Sequence, residues 1–227
     1  MRAALKISDL VRQRAREAGA SLHANANVAR FIRCEEIGQL EDEVAQAMGG
    51  VLRALAIDTE ADHNTKDTAR RVARMFVREV FAGRFEEPPA LTDFPNVAGL
   101  DEIVVAGPIT IRSACSHHMV PIMGEAWVGF IPGERVIGLS KFTRVAEWIM
   151  ARPQIQEEAT VQLADALWEA MKPKALGVVV KARHFCCGWR GVRDAGQEMT
   201  TSVMRGWFRE HPEARAEFLS LLKGRGA

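Results

Sequence analysis

Two short segments of this 227-residue chain carry residue types that bind metals or transfer protons. The first is Cys115-Ser116-His117-His118, in which a thiol and an imidazole stand three positions apart. If the backbone turns between them, this spacing lets Cys115 and His118 converge on one tetrahedral ion. A Cys-x-x-His pair is a weak signal by itself, because short motifs often match by chance. A metal site would need a further ligand from elsewhere in the chain.

The second segment is His184-Phe185-Cys186-Cys187, at the end of a predicted strand. Because side chains alternate along a strand, we expect His184 and Cys186 on one face and Cys187 on the other. Cys115, His118 and Cys186 would then leave a fourth position open, which is typical of catalytic zinc, an ion that lowers the pKa of its bound water. The spacing fits equally well with cysteines that are small buried apolar residues and histidines that are satisfied core groups.

The remaining cysteines and histidines are assigned no chemistry. Cys34 and Cys187 are predicted to pack, and the surface is predicted to carry His23, His63 and His211.

Periodicity predicts the elements that must position these segments. Apolar spacing indicates helices over residues 36–57 and 65–81. Further along, the pattern predicts strands at 103–105, 109–111 and 125–131, helices at 141–150 and 155–171, strands at 177–185 and 200–208, and a helix at 212–222. This order, ββααββ, predicts an α+β fold with an antiparallel sheet and helices on one face.

The chain before this sheet divides into two predicted parts. Residues 1–30 lack a sustained apolar stripe, so we expect a flexible N-terminal arm. A helical region over 31–95 follows, and the catalytic domain is predicted to occupy 96–227.

Composition limits the partners. Thirty basic residues balance 29 acidic ones, for a net charge of +1, which disfavours nucleic-acid binding even through the Arg-rich helix with Arg70, Arg71 and Arg74. No segment approaches the roughly 20 apolar residues of a membrane span, and the N-terminus lacks a secretory signal pattern. We therefore expect a cytoplasmic protein without membrane or nucleic-acid partners, in which cysteines bind metal, do chemistry or pack.

Four blocks in order resemble the GTP cyclohydrolase I family, from about residue 36 to residue 222. The blocks are Cys115-Ser116-His117-His118, Ile137-Gly138-Leu139-Ser140-Lys141 with Arg144, Arg152-Pro153-Gln154-Ile155-Gln156-Glu157, and His184-Phe185-Cys186 with Arg190-Gly191. The resemblance implies the tunnelling fold, in which sheets of several subunits close into a barrel. It also implies a homo-oligomer, a toroidal decamer with active sites where subunits meet.

The implied activity is zinc-dependent hydrolysis of GTP at C8 by an activated water, with release of formate and closure to 7,8-dihydroneopterin triphosphate. One alternative is a related GTP hydrolase that opens the ring and stops before pterin closure. Another is a catalytically silent zinc-binding scaffold. His117, His184 and Glu157 are not ligands in the implied site, so their presence speaks against the scaffold.

The resemblance also implies a role for each matched residue. Glu157 would recognise guanine with help from Gln156, since a carboxylate accepts from both N1–H and the exocyclic amine. The zinc ligands would be Cys115, His118 and Cys186, and the acid–base groups His117 and His184, with Ser140 assisting proton transfers. The implied triphosphate and ribose contacts are Ser140, Lys141, Arg144 and Arg190, with Arg71 reaching in from a neighbouring subunit.

Two positions depart from the family pattern. Ser116 stands where Glu is usual, and Ala69 stands where Pro is usual. Loss of a charge beside metal ligands alters the groups that orient them, a change that often shifts metal affinity by roughly 10- to 100-fold. Ala69 removes a helix-start signal but no hydrogen-bond donor that the site needs.

Overall fold

The computed structural model describes residues 6–223. The chain divides into two compact units, one ending at Glu87 and one beginning at Pro88. This break precedes the predicted boundary after residue 95. Residues 1–5 of the predicted arm and 224–227 of the predicted catalytic domain lie outside the described residues.

The first unit is helical. Its described helices are α1 (Ile7–Glu17), α2 (Ile37–Ala54), α3 (Thr68–Met75) and the short α4 (Ala82–Phe85), with 3₁₀ turns at Ala29–Phe31 and Cys34–Glu36 and a π-helical turn at Phe76–Val80. Helix α2 confirms the helix predicted over 36–57. Helix α3 and the π-helical turn together cover most of the segment predicted as one helix over 65–81.

Helix α1 corrects the prediction of a flexible arm before residue 30. Ile7, Val11 and Ala15 recur every fourth residue, which places them on one helix face, and all three are buried. They pack into one apolar cluster with Val28, Phe31, Ile32, Ile37, Leu40 and Val77. The stripe is too short to be recognised by periodicity. The surface that buries it comes from residues further along the unit, so the local sequence does not show that these side chains are buried.

A charged pair also anchors α1. Both terminal nitrogens of Arg14 contact the Glu36 carboxylate, at 2.6 and 2.7 Å, and Nη1 also donates to the carbonyl of Phe31 at 2.9 Å. The backbone N–H of Arg33 donates to the same carboxylate at 2.8 Å. The hydrogen bonds from Arg14 lower the pKa of Glu36 to about 2, so this carboxylate stays charged.

The second unit contains the sheet. Its strands are β1 (Asp93–Pro95), β2 (Val104–Cys115), β3 (Pro121–Ile131), β4 (Arg135–Ile137), β5 (Pro153–Gln154), β6 (Ala175–His184) and β7 (Glu198–Gly206). Its helices are α5 (Leu139–Met150), α6 (Gln156–Met171), α7 (Phe185–Gly188), α8 (Trp207–Glu210) and α9 (Pro212–Leu222). The main sheet has the order β5-β2-β3-β6-β7, while β1 and β4 pair separately. All neighbours in the main sheet are antiparallel except β5, which runs parallel to the end of β2.

The order of the main strands and helices along the chain confirms the predicted ββααββ arrangement and the α+β fold. The strands predicted at 103–105 and 109–111 are one strand, β2, whose pairing with β3 shifts register between Ala106 and Ile109. Helices α5 and α6 pack on one face of the sheet, against residues such as Val128 and Val180.

Helix α9 packs on the opposite face of the sheet, at one end. There Phe218 stacks on Phe208 with ring centroids 5.1 Å apart, in one buried cluster with Trp127. The Phe218 ring lies where a Cβ would stand on Gly129 and Gly177, which face each other across β3 and β6. Any larger residue at these two positions would displace the ring.

Within residues 6–223, no helix combines the length and apolar character that crossing a membrane demands.

Candidate active site

The sheet brings the two chemistry-bearing segments to the same edge. Strand β3 pairs with β2 on one side and β6 on the other, so β2 and β6 run in the same direction and end together. In the register, Ser113 lies opposite Ile122, and Ile122 lies opposite His184. The residues that follow β2 and β6 therefore meet beside the start of β3.

A tight turn after β2 presents the first pair of candidate ligands. Cys115 donates its N–H to Val120, and Met119 donates to the Cys115 carbonyl, at 2.9 and 2.8 Å. Met119 has φ 54°, a left-handed conformation that a side chain other than Gly rarely adopts. The turn places His118 Nδ1 3.7 Å from the Cys115 sulfur, which also accepts the His118 backbone N–H at 3.3 Å.

The third candidate ligand reaches the site by a different local structure from the one predicted. Strand β6 ends at His184, and Cys186 lies in the helical turn α7. The alternation that was expected to put His184 and Cys186 on one strand face therefore does not apply. Cys187 is not on an opposite face either, because its sulfur lies 4.0 Å from that of Cys186.

The donor set fits a zinc ion. Ligand atoms of Cys115, His118 and Cys186 all lie within 4.8 Å of one another. Zinc–sulfur bonds of about 2.3 Å and zinc–nitrogen bonds of about 2.0 Å separate tetrahedral ligands by roughly 3.5 Å, close to the spacing found here. Burial, together with the neighbouring thiols of Cys115 and Cys187, raises the pKa of Cys186 to about 11. A bound cation would favour the thiolate that this environment otherwise opposes.

Arg190, implied as a substrate contact, lies beside this cluster. Its Nη1 is 2.9 Å from His118 Nε2, and its side chain is exposed. His117 is also exposed, with its ring centroid 6.3 Å from that of His118. Both predicted residues therefore adjoin a candidate ligand.

His184 is half-buried and bonded to Gln156. Its Nε2 lies 2.8 Å from Gln156 Oε1. Burial lowers the pKa of His184, and the charge of Glu157 acts in the opposite direction. Glu157 is exposed at the start of α6 and close enough to influence this imidazole, a placement compatible with its predicted role.

The Gln156 side chain, predicted to help Glu157 recognise guanine, is buried and bonded within the chain. Only 3% of the residue is exposed, and its amide nitrogen donates to the carbonyls of Val180 and Met199, at 3.1 and 2.9 Å. Both ends of the amide are thus bonded within the chain. Within the described residues, the contact of the amide oxygen is with the His184 ring.

Two threonines next to Gln156 are absent from the predicted site residues. Thr160 follows it by one helical turn on α6, and Thr201 lies on β7; their hydroxyl oxygens are 2.7 Å apart. The i, i+4 spacing of Gln156 and Thr160 on an otherwise apolar helix face was the available signal. No sequence signal pointed to Thr201, because its contact depends on how β7 packs on α6.

Three predicted phosphate contacts lie on the first turns of α5. Ser140, Lys141 and Arg144 have i, i+3 and i, i+4 spacing, which places them on one side of the helix. Ser140 and Arg144 are exposed, while Lys141 donates to the carbonyl of Ala90 at 3.1 Å. In the described part of the chain, no hydrogen bond or ion pair joins these three residues to the Cys–His–Cys cluster.

Arg71 belongs to the first unit. It lies on α3 with an exposed side chain, 3.7 Å from the Asp67 carboxylate. Cys34, predicted to pack, is exposed in the same unit, because it falls in a 3₁₀ turn whose buried residue is Glu36. The surface positions predicted for three histidines are confirmed for His23, His63 and His211.

The fold and the cluster together define an α+β protein with a candidate three-ligand metal site where two strands end. Comparison with known proteins is more specific: the family model for GTP cyclohydrolase I matches residues 44–223. This chain belongs to the GTP cyclohydrolase I family, as the four sequence blocks indicated.

Several curated relatives carry the name GTP cyclohydrolase 1. The protein of Corynebacterium glutamicum (strain R) is 40% identical over 186 residues, covering 81% of this chain and 94% of the relative. That of Halalkalibacterium halodurans is 43% identical over 186 residues, covering 81% and 97%. That of Shewanella amazonensis is 39% identical over 180 residues, covering 79% and 83%. Among solved structures, an apo archaeosine synthase QueF-Like aligns with 53% of this chain and 97% of its own, at 19% identity and a TM-score of 0.36.

Proposed function

We propose that this chain hydrolyses GTP at C8, releases formate and recloses the product as 7,8-dihydroneopterin triphosphate. The observation that carries the proposal is the convergence of Cys115, His118 and Cys186 within 4.8 Å, in a chain of the GTP cyclohydrolase I family. The half-buried imidazole of His184 precedes one of these ligands by two residues.

Zinc is the ion we assign to this site. Two thiolates and one imidazole form a borderline-soft donor set that suits zinc better than magnesium or calcium. Zinc held by three protein ligands supplies a water of lowered pKa as the nucleophile. Cys115, His118 and Cys186 would hold the ion.

The chain's own residues would bind the base and move protons. Glu157 is exposed and would accept from guanine N1–H and the exocyclic amine, a pairing that adenine does not offer. His184 would donate a proton to N7 as the imidazole ring opens. His117 and Ser140 would assist the later proton transfers that precede pterin closure.

The triphosphate would be held by positive charge. Lys141 and Arg144 lie on the turn of α5 that also carries Ser140, and Arg190 lies beside His118. We assign Arg71 to the site of a neighbouring subunit. Several cations suit a group with about four negative charges, and guanidinium groups bind phosphate oxygens in pairs.

The homodecamer is also part of this proposal. Among the described residues, β7 pairs with β6 on one side and has no strand on the other. Such an edge pairs readily with another chain, as closure of a barrel between subunits requires. We place the protein in the cytoplasm, where thiol ligands stay reduced.

The test is to incubate the purified, zinc-loaded full chain with GTP and measure formate and pterin fluorescence together. We expect both products, and neither from Cys115→Ala or His118→Ala. Cys34→Ala is the matched control, since that thiol is exposed in the other unit, and it should behave as the unmodified chain. Formate without a pterin would support the ring-opening alternative, and bound zinc without either product would support a scaffold.

A further inference from the structure

The orientation of the Gln156 amide is determined by two backbone carbonyls. Its Nε2 lies 2.9 Å from the carbonyl of Met199 and 3.1 Å from that of Val180. Carbonyl oxygens only accept, so the NH₂ group must face them and the reversed amide is excluded. The atom that meets His184 Nε2, at 2.8 Å, is therefore the amide oxygen.

Two hydroxyls support this orientation. Thr160 Oγ1 lies 2.7 Å from the backbone carbonyl of Gln156, so this hydroxyl must donate there. Its proton is then engaged, and Thr201 donates across the 2.7 Å that separates the two hydroxyl oxygens. Thr201 Oγ1 remains an acceptor for Gln156 Nε2, at 3.2 Å. The amide has two N–H protons for these three acceptors, so the longest contact, to Thr201, shares a proton with a carbonyl, and the direction of each bond is still determined.

The network joins three elements in the interior. Thr160 and Gln156 lie on α6 and are 0% and 3% exposed. Thr201 lies on β7, and His184, whose ring Gln156 contacts, is the last residue of β6. Breaking one bond in such a place leaves a buried polar group without its partner, which is costly. The arrangement is therefore held more firmly than a hydrogen bond at the surface.

We propose that Gln156, Thr160 and Thr201 hold the His184 ring in the tautomer with its proton on Nε2, so that Nδ1 is the nitrogen that exchanges a proton with substrate. The Gln156 oxygen can only accept, and Nε2 must therefore donate to it whether the ring is neutral or protonated. The neutral ring has a bare Nδ1, and the protonated ring carries its second proton there.

This inference rests on the proposed role of His184 as proton donor, and it adds which atom donates. Gln156, Thr160 and Thr201 act as positioning residues, because their contacts are with the ring and with each other. A ring turned over about its axis would place a carbon against the Gln156 oxygen and lose the hydrogen bond, so the network also determines which edge of the ring faces outward.

The direct test is the tautomer itself. The full-length, zinc-loaded protein is labelled with ring-¹⁵N histidine, and its ¹⁵N spectrum is recorded in alkaline buffer, where the imidazole is neutral. His184→Asn identifies the signal by its loss. We expect a protonated Nε2 and an unprotonated Nδ1 at His184, and a mixture of tautomers in Gln156→Leu. A proton on Nδ1 in the unmodified protein would overturn the inference.

A matched pair of variants tests positioning in the reaction. Thr201→Val keeps the shape of the side chain and removes the hydroxyl, whereas Thr201→Ser keeps the hydroxyl. Because one buried hydrogen bond is lost, we expect Thr201→Val to lower kcat for formate release by roughly 3- to 10-fold, with KM for GTP within about twofold. Thr201→Ser should restore the rate. Equal effects of the two substitutions would show that the hydroxyl does not position the ring.

The two proposals fail in different ways. Normal formate release from His184→Ala would remove the catalytic role of His184, whatever the tautomer. A proton on Nδ1 in a protein that turns over GTP would remove the tautomer assignment and leave the proposed function intact.

Discussion

Nη1 of Arg190 lies 2.9 Å from Nε2 of His118. A guanidinium only donates, so Nε2 is the acceptor and the proton of the neutral ring is on Nδ1, 3.7 Å from the Cys115 sulfur. Nδ1 can bind a metal only after losing that proton. The neutral ring would then carry its proton on Nε2, where this N–H would face the Arg190 guanidinium, which is also a donor. Metal binding through Nδ1 and this contact with Arg190 would therefore exclude each other, and a metal-loaded site would leave Arg190 available to an anion.

The first prediction concerns Arg190→Ala. Zinc content should stay near one per chain, because the arginine is not a proposed ligand and its contact with His118 would oppose metal binding through Nδ1. KM for GTP should rise by about tenfold, since a charge-assisted contact to the triphosphate is lost. Elemental analysis and steady-state kinetics measure both effects, and the defect should shrink with a substrate that lacks the outer phosphates. Loss of zinc from Arg190→Ala would contradict this account.

The second prediction compares adjacent cysteines. Cys186→Ala should lose zinc and formate release, whereas Cys187→Ala should keep both, because the Cys187 sulfur lies outside the three-ligand group. Zinc affinity should also rise with pH: the pKa of Cys186, raised to about 11 without metal, means that a proton must leave before the sulfur can bind. A competition titration with a chelator at several pH values measures this. Equal zinc loss from both variants would show that the ligand set is wrong.

The third prediction concerns guanine recognition. Glu157→Gln should raise KM for GTP by about tenfold or more, because a donor then faces the N–H groups of the base. Glu158→Gln, also exposed on α6, is the matched control and should have little effect. With inosine triphosphate, which lacks the exocyclic amine, the difference between Glu157→Gln and the unmodified protein should be smaller. Unchanged kinetics with GTP would make Glu157 an ordinary surface charge.

The fourth prediction separates the two halves of the reaction. His184→Ala, with zinc retained, should yield neither formate nor pterin, because no group protonates N7. His117→Ala should impair the later steps at least as strongly, with accumulation of a ring-opened intermediate. A time course of formate, intermediate and pterin distinguishes the two variants. If His184→Ala releases formate at the normal rate, the proton donor must be His117 or water.

The fifth prediction concerns the acid sensitivity of the first unit. The pKa of Glu36 is lowered to about 2 in the folded chain, below its value of about 4.5 in an unfolded one. Its contribution to stability is therefore complete above pH 4.5 and is lost as the pH falls from there towards 2. At neutral pH, Glu36→Gln should reduce the hydrogen-exchange protection of α1 amides by roughly tenfold. Amides of α6, in the other unit, serve as the internal control.

In that experiment the variant and the unmodified protein should converge as the pH falls from 4.5 towards 2, because the contribution of the Glu36 charge to stability is lost across that range. A constant difference between the two at every pH would mean that the Arg14–Glu36 pair does not hold α1.

Much of the fold followed from local pattern. The helix at 155–171 and the strand at 177–185 were recognisable because their apolar residues repeat with the period of the element that buries them. The observed elements, Gln156–Met171 and Ala175–His184, agree to within two residues. The candidate ligands were also recognisable, because residue types and their spacing can be read from the chain and the four ordered blocks favoured metal binding over simple packing.

Other features depended on contacts between distant residues. Helix α1 was missed because its short apolar stripe is buried by residues from Val28 onward. Cys186 was placed on a strand, but the chain turns into a helix directly after His184, and alternation cannot reveal where a strand stops.

Gln156 is the clearest example of a residue whose contacts the sequence by itself does not determine. Residue types and order determined the family, most of the elements and the residues able to bind metal, because these depend on composition and on neighbours along the chain. Whether Gln156 faces guanine or His184 depends on the carbonyls of Val180 and Met199 and the hydroxyl of Thr201, which other elements bring to it. Only the packing of α6 against β6 and β7 decided that, because an amide turns toward whichever partners the folded chain places around it.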